Sequence, residues 1–156
     1  MTFEQARLVR KTFQQIANVT PESVGQLFYN RLFEIAPGVR PLFSRTAMPE
    51  QSVKLMAMLT YVVSKLHNVD SIVQDVTALA RRQECYDVTE QHYVHVGQAL
   101  LWMLEKALPD DWTPEVQQAW TACYVLLAET MINATRPSGT TLRSIELNPI
   151  SYATYY

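Results

Sequence analysis

The chain has 156 residues, 48% of them apolar and 18% charged, with a formal net charge of −2. That is one domain's worth of residues with enough apolar content for a substantial core, and it lacks the basic footprint of a nucleic-acid binder. Two cysteines, Cys85 and Cys123, form neither a disulfide framework nor a Cys-x-x-Cys pair. No apolar run reaches the roughly 18 residues that span a bilayer, and the stretch after Met1 does not read as a secretory leader. The expectation is a soluble cytoplasmic protein, no membrane partner, and a low charge that fits burial around a large apolar ligand or at a subunit contact.

Only four glycines are present, and the prolines cluster at segment starts and ends, which favours helices over hairpins. Thr2 with Gln5 reads as a capping box opening a helix whose apolar stripe is Ala6, Val9, Phe13 and Ile16. Thr20-Pro21 is a cap followed by proline at the first helical position, starting a second helix that ends near Ala36. Pro37 to Phe43 reads as a short turn-like helix. A fourth helix runs from about Pro49 to Leu66 with Gln51, Leu55, Leu59, Val62 and Leu66 on one face. Asp70 is read as the cap of a fifth, whose inner face is Ile72, Val76, Leu79, Ala80 and Gln83. Asp87-Val88-Thr89 breaks the pattern, and a sixth helix continues to about Leu108 with Tyr93 inward. Thr113-Pro114 caps the last, with Val116, Ala119, Trp120, Cys123, Leu127 and Met131 inward. Residues 136–156 lack helical periodicity and read as an irregular extension. The fold class is all-α, with helices too unequal for a simple up-down bundle.

Several spaced segments over roughly residues 3–135 add to this. Leu27-Phe28-Tyr29-Asn30-Arg31-Leu32-Phe33 and Pro37-Gly38-Val39-Arg40-Pro41-Leu42-Phe43 resemble the second and third helices of bacterial globins. Gln51-Ser52-Val53-Lys54-Leu55-Met56 is similar to their distal helix. The run His92-Tyr93 to Gly97, and Ala119-Trp120 with Tyr124, are similar to their last two. The chain thus resembles a single-domain bacterial globin, or the haem domain of a flavohaemoglobin, which implies a three-over-three helical sandwich over residues 1–135 and a haem b cofactor.

The resemblance assigns roles by position. Phe43 would pack flat on the porphyrin, with Leu55, Leu79, Tyr93 and Val96 lining its pocket. Tyr29 and Gln51 would be distal donors to a bound gas, dioxygen or nitric oxide, with Leu55 in contact; a hydroxyl and an amide are suitable groups for an apolar pocket. As plain chemistry, Phe43 and Leu55 could equally be core, and Gln51 an exposed first-turn residue. Gly25 and Ser52 look like the small pair that lets the second and fourth helices cross closely.

Gln83 stands where this family carries the histidine that binds iron. It lies 28 residues after Leu55 and ten before Tyr93, and the helical pattern independently turns it inward. A carboxamide offers a neutral, harder oxygen in place of an imidazole nitrogen, so an atypical proximal bond is expected. Tyr86, one turn on, is the fallback ligand. Cys85 lies about 200° round the helix from Gln83. His67, His92 and His95 read as surface or packing histidines. The family's orienting glutamate is also absent, since the slot eleven residues after Tyr124 holds Thr135.

The leading reading is a haem globin that binds a diatomic gas, with any nitric oxide dioxygenase-type turnover dependent on an external reductase. The alternative is a haem-free globin-fold sensor or partner-binding module, motivated by the lost ligand. A third reading is a haem globin into which Gln83 has been introduced. Tyr152, Tyr155 and Tyr156 offer a contact for a homodimer.

Overall fold

A computed structural model describes residues 1–43, 47–82 and 89–135. Among them are six α-helices and one 3₁₀ segment: α1 (Phe3–Ile16), α2 (Pro21–Ile35), the 3₁₀ turn Pro37–Phe43, α3 (Met48–Ser64), α4 (Val69–Arg82), α5 (Glu90–Ala107) and α6 (Pro114–Thr135). The extension from residue 136 onward lies outside the described residues.

Local chemistry sets most of the boundaries. The capping box of α1 is made as expected: the Gln5 N–H donates to Thr2 Oγ1 at 3.1 Å and the Thr2 N–H to Gln5 Oε1 at 2.9 Å, satisfying two donors that the helix leaves free. Thr113 caps α6 through the Val116 N–H at 3.2 Å. Two caps differ from the sequence reading. Thr20 occupies the cap position of α2, yet its hydroxyl pairs with the Ser23 hydroxyl at 2.8 Å and bonds no backbone N–H; proline at the start of α2 supplies the pre-set φ instead. Asn68, not Asp70, caps α4, its Oδ1 accepting from the Ser71 N–H at 3.2 Å. Both residue types suit the role, and the helix begins two residues earlier than the Asp70 reading requires.

The amphipathic stripes then decide the packing. Helices α1, α3 and α4 form one layer, with α1 against α3 and the Tyr61 hydroxyl of α3 bonded to Asp75 of α4. Helices α2, α5 and α6 form the other, α5 packing on both neighbours. The layers close through α1 on α6, α2 on α3 and α4 on α6. This is the expected three-over-three sandwich. Its centre is Ile16, Leu32, Leu101, Leu104 and Trp120, all essentially without solvent contact. The Trp120 indole N–H donates to Thr12 Oγ1 at 2.9 Å, so the largest core ring buries its one donor with a partner. On the far side, the Arg31 guanidinium of α2 lies 5.1 Å from the Trp102 ring of α5.

Helices α2 and α3 cross closely. A Cβ built on Gly25 would fall inside the Ser52 side chain and 2.7 Å from the Ser52 Cα. The expected small pair is therefore what lets these two helices meet.

Candidate functional site

Where the layers diverge they leave a cavity of about 310 Å³, within the size range of small-molecule pockets. Helix α3 contributes Leu55, Met58 and Leu59, and α4 contributes Val76. The opposite walls are Tyr93, Val96 and Leu100 of α5 and Tyr124, Leu127, Ala128 and Met131 of α6. Phe43 and Val39 of the 3₁₀ turn close one end with Phe28 of α2. The walls come from segments far apart in sequence, and those from α3, α5 and α6 present i, i+3 and i+4 stripes of their helices. Leu55-Met58-Leu59 and Leu127-Ala128-Met131 are two such stripes.

The cavity's polar groups are few and mostly spent. The Tyr124 hydroxyl donates to the Tyr93 carbonyl at 2.6 Å, tying α6 to α5; burial first, and the neighbouring Tyr93 second, hold its proton far above the ordinary phenol range. His92, at the start of α5, is partly buried and lines the cavity. The sequence reads it as a surface or packing histidine; in the structure it packs, partly buried, at the cavity. The Thr89 N–H donates to its Nδ1 at 3.1 Å, while the His92 N–H donates to Thr89 Oγ1 at 3.2 Å. The ring therefore lies back along the helix start in a capping box. His67 is exposed in the turn before α4, and His95 packs beside Gln98, its Nδ1 3.4 Å from Gln98 Oε1.

Of the expected pocket residues, the structure brings Phe43, Leu55, Tyr93 and Val96 together around this cavity. Gln83 and Tyr86, and the side chain of Leu79, lie outside the described residues. Tyr29 and Gln51 are brought to each other: the buried Tyr29 hydroxyl donates to the Gln51 carbonyl at 3.4 Å. The Tyr29 ring sits one ring behind the cavity wall, edge-on to Phe43 at 5.3 Å and to Phe28 at 4.9 Å. It also borders a smaller polar crevice of about 230 Å³ between α2 and α3, with Glu22, Gln26, Asn30 and Ser52. Burial pushes the Tyr29 hydroxyl up to about 12, so at neutral pH it is a donor and not a phenolate.

Sequence reasoning missed His92, Met58 and Tyr124 as cavity residues. The signal for His92 lies in the sequence, because 92, 96 and 100 share one helical face.

Among the described residues the fold is all-helical and two-layered around a largely apolar cavity. The globin family model matches residues 26–131, and the chain belongs to the globin family. It is 28% identical over 135 residues to a flavohemoprotein of Vibrio cholerae, a match covering 85% of this chain and 34% of that protein. It is 25% identical over 146 residues to a neuroglobin of Danio rerio, covering 85% of this chain and 91% of that one. The chain thus spans about a third of the flavohemoprotein it matches. The solved closed form of the HGbRL globin domain is 34% identical, with 86% of this chain and 96% of that chain covered, at a TM-score of 0.39.

Proposed function

We propose that the apolar cavity holds haem b and that the protein binds a diatomic gas, dioxygen or nitric oxide, with atypical coordination on the Gln83 side. What supports the reading is the cavity itself: Phe43, Leu55, Tyr93 and Val96, four residues named from sequence alone, line one space of about 310 Å³. The chemistry of its walls fits a large flat apolar group. Among the described residues they carry three side chains with polar atoms, His92, Tyr93 and Tyr124, and the Tyr124 hydroxyl is committed to a backbone carbonyl.

A bound haem supplies the iron at which such a gas binds; the chain supplies everything around it. Phe43 and Leu55, with Met58 and Leu59, give apolar surface and exclude water. Tyr29, with the amide of Gln51, provides the donor for a ligand of partial negative charge. Its present bond to the Gln51 carbonyl, at 3.4 Å, is at the long limit for a hydroxyl donor, so redirecting it costs little. Gln83 offers a carboxamide where the family carries imidazole, and Thr135 stands where an orienting glutamate would hold that imidazole.

Titration of the purified protein with hemin tests this. A saturable Soret band is expected, and Gln83→His should shift it to that of an ordinary histidine-ligated globin. No Soret band on titration, and none after growth with added haem, would refute the reading in favour of a haem-free sensor or partner-binding module, which the glutamine at position 83 motivates. If the Gln83→His spectrum equals the parent's, the iron is held by another residue.

A further inference from the structure

We infer that His92 is the polar anchor of this cavity, its imidazole Nε2–H donating to a carboxylate on the edge of the bound group. The inference rests on the haem reading above and assigns a residue that reading leaves without a role. His92 is the one nitrogen-bearing side chain among the described residues that line the cavity. Its ring is held from behind: the Thr89 N–H donates to Nδ1 at 3.1 Å. With the Nδ1 lone pair accepting, the proton of the neutral ring belongs on Nε2. No described residue accepts from that nitrogen. The structure therefore presents a pre-oriented N–H donor, partly buried, at the boundary of an otherwise apolar wall.

That geometry separates two chemistries. To bind iron, Nε2 must offer a lone pair, which moves the proton to Nδ1 and sets it against the Thr89 N–H, donor facing donor. Donation to a carboxylate needs no such change and keeps the capping box intact. A flat apolar body with an acidic edge, such as a porphyrin bearing free propionates, matches a wall of this composition.

The test compares metal-free protoporphyrin IX with its dimethyl ester, and each with the corresponding iron porphyrins, by quenching of tryptophan fluorescence. The variants are His92→Glu, which preserves the capping box because glutamate serves at the same position, and His92→Leu, with circular dichroism as the check on folding. The parent should prefer the diacid over the diester by about tenfold, the size of one hydrogen bond to a charged group. His92→Leu should lose that preference, and His92→Glu should reverse it by repulsion. Retained preference in a folded His92→Glu protein overturns the inference. So does a loss confined to the iron porphyrins, which would make His92 a ligand to the metal. Failure of all four porphyrins to bind the parent protein would instead overturn the haem reading itself.

Discussion

Gly25→Ala is the substitution that most directly tests the crossing on which the site depends. An alanine Cβ at this position would lie 2.7 Å from the Ser52 Cα and within the Ser52 side chain, against ordinary contacts of 3.4–4 Å. A rotamer change cannot remove a clash with a backbone atom, so α3 must withdraw by the difference, at least about 0.7 Å. Overpacking that moves backbone falls at the upper end of the usual range, about 3 kcal/mol. Alanine recovers about 1 kcal/mol over glycine within a helix. The net expected loss is about 2 kcal/mol, or roughly 4–8 °C in Tm for a chain of this size.

Thermal and urea unfolding followed by circular dichroism measures it. Because Tyr29 lies one turn after Gly25 and bonds the residue preceding Ser52, the same withdrawal should break the Tyr29–Gln51 bond. A Ser52→Gly partner variant removes the side-chain part of the clash and leaves the backbone part. In the double mutant it should return about 1 kcal/mol relative to the sum of the single changes. A Gly25→Ala protein as stable as the parent, or an additive double mutant, would mean that α2 and α3 do not meet at this pair.

Two further outcomes follow from buried polar groups. Thr12→Val leaves the Trp120 indole N–H buried without its 2.9 Å partner and should cost about 2 kcal/mol, whereas Thr12→Ser should cost well under 1 kcal/mol; equal Tm values for the two would refute the bond's role. Burial pushes the Cys123 thiol from 9.0 to about 12, so the folded chain keeps a proton that the unfolded chain releases. That stability is fully present below about pH 9 and lost as pH rises toward 12, about 4 kcal/mol across the window. Tyr29 adds a loss of the same sign between 10 and about 12. Cys123→Ala should flatten the decline between pH 9 and 11 in urea midpoints, and an unchanged slope would refute the assignment.

Local signals were legible wherever a short run of sequence decides the structure alone. The Thr2–Gln5 box, the Thr113 cap and the Gly25–Ser52 pair involve either three-residue spacings or residues too small to have another role. Asn68 and Asp70 show the limit of the same signal. Two residues of one capping type lie two positions apart, and their types alone do not choose the register. Helical periodicity puts Leu55 on an inward face, while Tyr93 and Val96 follow from the globin resemblance; all three line the cavity. Periodicity could not say which inward residues fill the core and which leave space, because that depends on where helices separate.

Tyr29 and His92 show why that distinction matters for function. The globin resemblance points to Tyr29 of α2 as a pocket residue, but the 3₁₀ turn brings Phe43 across it, and the cavity wall is therefore Phe43 with the phenol one ring behind. In the proposed gas-binding role Tyr29 would reach the cavity by exchanging its partner, which is a backbone carbonyl of α3. His92 is the converse case. A helix running past a cavity edge shows it two adjacent residues, so Tyr93 and His92 both line the space although a stripe analysis admits one. Its capping bond to Thr89 occupies Nδ1 and leaves Nε2 as the nitrogen that the inference above assigns to a ligand. Helix-start chemistry thus favours one tautomer at the cavity wall, and under the inference above a residue that reads in sequence as a surface or packing histidine becomes the wall's directed donor.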